Sequence, residues 1–133
     1  MNLLTATVEN GAGGLEVSLE RPNAAPLKLP VMAGNNGLTT YTGRQVIFGI
    51  RPEALTDPDG ADRKARMLSE GDCLIEVVEP AGSDTFAVTK LGGKSVVARL
   101  RADAGIAPGQ TTRLAFNLDK AVFFDPQTQA RIG

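Results

Sequence analysis

The segment "KLGGKS", Lys90 to Ser95, carries the Gly-Lys-Ser ending of a phosphate-binding loop. Such a loop wraps phosphates in backbone N–H groups and needs an earlier glycine, which here falls at position 88. Position 88 is Val88, and a strand follows rather than a helix whose N-terminus could hold anionic charge. "GGK" therefore reads as a hairpin turn. Asp57, Asp59 and Asp62 offer oxygen ligands in "TDPDGADRKARM", and Asp57 with Asp62 could approach a calcium ion. No spaced run ends in a bidentate glutamate, so these read as solvated loop charges. The chain has no histidine, which removes the usual general base and the commonest metal ligand. Cys73, the one cysteine, lies beside an apolar run and reads as a small buried residue. It has no partner for an internal disulfide, which suits a reducing compartment. Glu76 and Glu79 have odd spacing on a strand, which points them to opposite faces. Arg99 and Arg101 share a strand face, but base stacking needs aromatics there. Aromatics are only 5% of the chain, and Phe48, Phe86 and Phe116 read as core. With a net charge of −1, nothing in the balance favours phosphate binding. The remaining constellation is Arg51-Pro52-Glu53, a cation, a helix breaker and an anion set against the apolar run "VIFGI".

The elements that must position these residues are strands. The 133 residues, 42% of them apolar, fit one domain or two very small ones. Fifteen glycines and eight prolines punctuate short apolar runs, a pattern of many turns. "LEVSL", "LKLPV" and "RQVIFGI" alternate with period two; "CLIEVVE", "TFAVTKL", "SVVARL", "TTRLAFNL" and "AVFFD" follow. "PQTQARIG" reads as a terminal turn and tail, and "MAGNNGLTTYTG" as a polar loop. Few connections are long enough for a crossover helix, so antiparallel pairing in a barrel or sandwich is expected. The opening "MNLLTATVEN" lacks the basic start of a secretory signal, and no apolar run approaches the ~20 residues of a membrane helix.

Two parallels suggest a duplication. "VENGAGGLEVSL" matches "VEPAGSDTFAVTKL", and "VIFGIRPEAL" matches "LAFNLDKAVF" without gaps. Half-repeats over about 1–56 and 72–126, joined by a polar loop, would complete one unit together.

At Arg51-Pro52-Glu53 the reading gains a family. "GIRPEAL" resembles the "GIRPE" signature of the C-terminal regulatory domain in ATP-binding subunits of carbohydrate ABC importers, the maltose-importer ATPase group. "MNLL", "LPV", "GDCLIEVVEPAGSDTFAV" and "VFFDPQTQARI" are similar in order, so the resemblance covers nearly the whole chain. Val122 stands where many members have histidine, and Gln129 where they have glycine. There is no phosphate loop and no "LSGGQ" signature here.

The resemblance implies an all-β, OB-fold-like or MOP-like antiparallel barrel, related to molybdate-binding domains. It implies a non-catalytic regulatory and dimerisation domain, with no cofactor in this chain and ATP and Mg in the parent subunit. Implied partners are a sister ATPase subunit, the nucleotide-binding domain of the same chain and, through the parent, membrane permease subunits. The implied location is cytoplasmic, peripheral on the inner face of a bacterial membrane. Gly49, Arg51, Pro52, Glu53, Phe123 and Phe124 are the expected interface residues, one of the two phenylalanines being core. The competing expectation is a small-oxyanion or other ligand-binding β module, in which backbone N–H groups of a glycine-rich turn hold the anion.

Overall fold

A computed structural model of the chain describes residues 1–22, 24–31 and 36–132. Eleven strands alternate with short 3₁₀ turns among these residues. The strands are β1 (Asn2–Gly11), β2 (Gly14–Arg21), β3 (Ala24–Pro30), β4 (Gln45–Ile50) and β5 (Leu55–Thr56). They continue as β6 (Leu68–Pro80), β7 (Asp84–Leu91), β8 (Lys94–Arg101), β9 (Thr111–Asn117), β10 (Val122–Phe124) and β11 (Arg131–Ile132). All pair antiparallel, in two sheets ordered β11-β10-β4-β1-β2-β3 and β5-β9-β6-β7-β8. β5 also lies against β8, so the second sheet nearly closes into a barrel. The expected all-β, OB-like barrel is the architecture observed.

Period-two alternation builds the interior. Leu4, Ala6 and Val8 of β1, Val46, Phe48 and Ile50 of β4, and Val96, Ala98 and Leu100 of β8 all point into one cluster. Leu114, Phe116 and Phe123 join it, and the Phe48 and Phe123 rings pack with centroids 5.5 Å apart.

The two sheets exchange strands. β5 follows β4 in sequence but pairs with β9, Leu55 opposite Phe116 and Thr56 opposite Ala115. β10 follows β9 but pairs with β4, Phe123 opposite Phe48 and Phe124 opposite Ile47. Each residue of one set lies 68 positions from its counterpart in the other. Each sheet thus gains a strand whose preceding strand sits in the other sheet, which ties the sheets into one core.

Side chains complete the free edge of β8. The Asn2 carboxamide donates to the Val97 carbonyl at 2.8 Å and accepts the Val97 N–H at 3.0 Å, as a neighbouring strand would. Four residues along, the Arg101 N–H donates to the Asp57 carboxylate at 3.1 Å. At the edge of the six-stranded sheet, β3 carries Pro26, Lys28 and Pro30, residues that resist further pairing.

Two local expectations need correction. The terminal turn and tail contain β11, which pairs with β10 through Phe123–Ile132 and Phe124–Arg131. Asp125 makes this return possible by accepting the N–H groups of Gln127 and Thr128 at 2.8 and 2.9 Å. Phe86 is half-buried on the outward side of β7, with Thr85 and Ala87 buried instead.

Candidate interaction surface

The Arg51-Pro52-Glu53 segment ends β4. Proline pushes the residue before it to extended backbone, and Arg51 sits at φ −79°, ψ 153°. Pro52 then opens a 3₁₀ turn, Pro52–Ala54, closed by the Ala54 N–H on the Arg51 carbonyl at 3.0 Å. Arg51 and Glu53 project into solvent and form no ion pair with the described residues. With Asp62, Asn117 and Lys120 they border an open hollow of about 440 Å³.

Gly49 precedes them on the outer face of the six-stranded sheet. Leu3, Gly49 and Val122 stand across from one another on β1, β4 and β10, and Thr5, Ile47 and Phe124 form the next row. A Cβ on Gly49 would lie 2.9 Å from the Met1 sulfur and 3.0 Å from a Val122 methyl. The missing side chain is therefore filled by neighbours. Met1 and Leu3 are 52% and 50% exposed, which makes this face an apolar surface open to water. Of the paired phenylalanines, Phe123 is core and Phe124 faces outward, half-buried. The structure thus places Gly49, Arg51, Pro52 and Glu53 at one end of β4, Phe124 outward opposite Ile47 in mid-strand, and Phe123 inward opposite Phe48. Nothing in the sequence marks Met1 and Leu3, because their exposure depends on the register of β1 against β4.

Beside this surface the charges are already engaged. Asp57 is buried, which corrects the expectation of a solvated loop charge. It accepts from the Arg101 guanidinium at 2.7 Å, and Arg101 also lies 3.8 Å from Asp59 and 3.9 Å from Asp103. Burial alone would raise the Asp57 pKa, but hydrogen bonds from the Arg101 backbone and side chain hold it below the usual carboxylate value. Arg99 donates to Asp84 at 3.0 Å. Asp119 accepts the N–H groups of Arg66 and Met67 at 2.8 and 3.0 Å, which docks the polar connection. Asp125, 68 positions after Asp57, accepts the Tyr41 hydroxyl at 2.5 Å; this and the Thr128 and Gln127 N–H groups hold its pKa at about 2.

This equipment holds structure together. Burial pushes the Cys73 thiol up to about 11, far from a nucleophile's range. Gly92 and Gly93 take positive φ at the tip of the β7–β8 hairpin, as a tight turn requires. Among the described residues no group of three His, Cys, Asp or Glu side chains is placed to hold a metal. No helix among them is long and apolar enough to cross a membrane.

Gln129 is the one non-glycine described residue with positive φ, at 62°. Its N–H closes the Asp125 turn by donating to the Asp125 carbonyl at 2.8 Å. A side chain in this region costs about 1–2 kcal/mol, partly offset by the freedom glycine loses on folding. Gln129→Gly is expected to stabilise the fold by roughly 0.5–1 kcal/mol in urea unfolding. A destabilised variant would contradict the strain.

Comparison with known proteins places these features. The TOBE domain model matches residues 48–124, and the MalK OB fold domain model matches residues 1–55. The ABC transporter ATP-binding protein y4oS of Sinorhizobium fredii is 38% identical over 99% of the chain, which spans 31% of that protein. The sn-glycerol-3-phosphate import ATP-binding protein UgpC of Ralstonia nicotianae is 29% identical over 99% of the chain and 34% of its own length. The trehalose/maltose import ATP-binding protein MalK of Thermococcus litoralis is 33% identical over 66% of the chain and 24% of its own length. The chain thus spans about a quarter to a third of these relatives. A crystal structure of the molybdate-binding protein ModG superposes with a TM-score of 0.58 and 19% identity, covering 94% of this chain and 96% of that one. It shares the fold.

Proposed function

The chain belongs to the TOBE domain family, and we propose that it serves as a non-catalytic regulatory and dimerisation domain in the ATP-binding subunit of an ABC importer for sugars or related solutes. The names of the relatives support the setting. In this reading ATP and Mg are bound elsewhere in the subunit, which lies on the cytoplasmic side of the membrane against its permease. This domain adds interface that keeps two ATPases associated while their nucleotide-binding domains open and close. The chain is read as a single domain of two half-repeats, about 1–56 and 72–126. The reciprocal pairing of β5 and β10 supports that reading, with β6 starting at Leu68, ahead of the second half-repeat.

One observation carries the assignment of a contact: Met1 and Leu3 expose an apolar face over the covered Gly49, with Val122 and Phe124 half-buried in it, and two residues further along the chain Arg51 and Glu53 are exposed with no ion pair among the described residues. An apolar centre with a charged rim is the composition of an interface, in which the charges set register and specificity. We assign it to the nucleotide-binding domain of the same subunit. In the intact subunit, Leu3→Glu is expected to expose the junction between the domains to limited proteolysis. This domain's own stability should change by less than about 0.5 kcal/mol, as for a surface substitution. Unchanged proteolysis would contradict the contact.

The second reading, an oxyanion-binding module, draws on the fold shared with ModG. Against it, Arg99 and Arg101 already hold carboxylates at 3.0 and 2.7 Å. Titration calorimetry with molybdate, tungstate and phosphate separates the readings, and saturable heat from any of them would favour the second.

A further inference from the structure

The two crossings between the sheets leave a hollow beside them. The chain quits β4 through the Pro52–Ala54 turn and quits β9 through the Leu118–Lys120 turn, and each turn carries it to the other sheet. The polar connection between β5 and β6 packs on the second turn, where the Leu118 N–H donates to the Met67 carbonyl at 3.0 Å and Asp119 accepts from Arg66 and Met67. Glu53 and Ala54 of the first turn, Lys120 of the second and Asp62 of the connection wall the hollow of about 440 Å³ together with Arg51 and Asn117.

Asn117 is only 9% exposed, yet half of its carboxamide is unused. Its Oδ1 caps the second turn by accepting the Asp119 N–H at 3.1 Å. That bond identifies the oxygen, so the other end is the amide nitrogen, which makes no hydrogen bond with a described residue. Among the described residues only Thr112 Oγ1 is a side-chain polar atom both sealed from solvent and unpartnered. The Asn117 amide is therefore not sealed, and it opens onto the hollow that Asn117 lines. A mostly buried donor of this kind calls for an acceptor oxygen on whatever fills the space.

The charges around this donor are balanced and held apart. Arg51 and Lys120 face Glu53 and Asp62, all four are exposed, and none forms an ion pair with the described residues. Asp62 gives one carboxylate oxygen to the Lys64 N–H at 2.9 Å and keeps the other. Glu53 also borders the hollow beside Arg99 and Arg101, but those guanidinium groups hold Asp84 and Asp57 instead. Two cations and two anions sum to no net charge, so neither a bare anion nor a bare cation is favoured. A neutral polyol would satisfy the carboxylates and leave the cations without a counter-charge. A dipolar molecule satisfies both kinds. Its carboxylate takes the Asn117 amide and a cation, and its ammonium group takes Glu53 and Asp62.

We propose that this hollow binds a small zwitterion, a free amino acid whose carboxylate lies against Asn117, Arg51 and Lys120 and whose ammonium group lies against Glu53 and Asp62. The site stands apart from the domain contact proposed above, because this chain alone contains every group that it uses. The hollow is open to water, so affinity is modest, with Kd about 1 mM.

The NMR signal of the Asn117 side-chain amide tests the site in this chain, and its loss in Asn117→Asp assigns it. Glycine, β-alanine and γ-aminobutyrate, which space their two charges differently, are titrated in turn from ~0.1 to ~50 mM, a range that brackets the expected Kd. At least one should shift the signal saturably. Acetate and methylammonium, each carrying one of the two charges, should bind at least about 10-fold more weakly than the best amino acid. Lys120→Glu, at an exposed position, should weaken that binding at least about 10-fold with the fold intact. Asn117→Asp keeps the oxygen that caps the turn and removes the donor, so binding followed by other shifted signals should be lost; Lys120→Glu decides the matter if this variant fails to fold. No saturable shift from any of the three amino acids overturns the site. Acetate binding as tightly as the best of them overturns the zwitterion, and indifference to Lys120→Glu overturns the placement in this hollow.

Discussion

Gly92→Ala is expected to be the most damaging single-methyl substitution considered for this chain. Two independent costs meet there. Gly92 has φ +57°, in the left-handed region that other residues enter at about 1–2 kcal/mol. A Cβ built on it would also lie 2.3 Å from the backbone oxygen of Thr5 and 3.1 Å from its nitrogen. Backbone cannot rotate aside as a flexible side chain does, so the β7–β8 hairpin would have to lift away from β1. That movement would also strain the bond from the Gly92 N–H to the Glu20 carbonyl, 2.9 Å long, which ties the hairpin to β2. A loss of about 4 kcal/mol or more in urea unfolding is expected, in the range that marks a disrupted core contact. Gly93→Ala is the control. Its φ is +74° but nothing lies within 4 Å of its Cβ position, so only the conformational cost of about 1–2 kcal/mol should appear. Equal losses at the two positions would show that the hairpin does not press on β1 as described.

Asp57→Ala should follow in size. The substitution removes the acceptor for the Arg101 N–H on the edge of β8 and the partner of the Arg101 guanidinium. Leaving a buried donor unsatisfied and losing a charge-assisted bond together cost about 2–4 kcal/mol. Asp57→Asn keeps a carbonyl for the backbone donor and should lose about half as much. The effect must also depend on pH. The folded pKa of Asp57 lies below the ordinary value of 3.8, so in acid the unfolded chain takes up this proton first. The stabilisation from Asp57 is therefore complete above about pH 4–5 and disappears as pH falls through the folded pKa. The difference in unfolding free energy between wild type and Asp57→Ala should shrink from neutral pH toward pH 2. Asp125 titrates in the same direction but is present in both proteins and drops out of the difference. A gap that stays constant down to pH 2 would mean that the carboxylate's charge does not matter.

Much of the fold was readable from alternation. "LEVSL" and "VIFGI" place Val17, Leu19, Val46, Phe48 and Ile50 inside, and all five are buried. The gapless match of "VIFGIRPEAL" to "LAFNLDKAVF" anticipates an order of elements that recurs, although the exchange of β5 and β10 does not follow from a repeat alone. Other features depend on distant groups. β6 begins at Leu68, before its apolar run, because "LSEG" is paired by β9 rather than by its own pattern. β11 has only two residues and exists because Asp125 folds the chain back onto β10. Asn2 looks like an ordinary polar residue near a terminus until β8 is beside it.

The surfaces were partly readable. Pro52 announces the end of β4, and Arg51 and Glu53 stand out in sequence because they flank it directly against an apolar run; among the described residues neither forms an ion pair. Phe123 and Phe124 must face opposite ways, but only the pairing with β4 decides that Phe123 is inside. Val77, Val88 and Val97 look like core in a strand that is apolar on both sides. Their alignment on an outer face comes from the register of three strands and a bulge. Asp57 fails as a solvated loop charge for the same reason, since Arg101 lies 44 residues away in sequence.

In the proposed function this domain holds two ATPases together between catalytic cycles. That role is tested most directly by sedimentation velocity, without nucleotide, on the ATP-binding subunit carrying this domain and on the same subunit lacking it. The intact subunit should sediment as a dimer at concentrations where the shortened one is largely monomeric. Equal dimerisation of the two proteins would contradict that role.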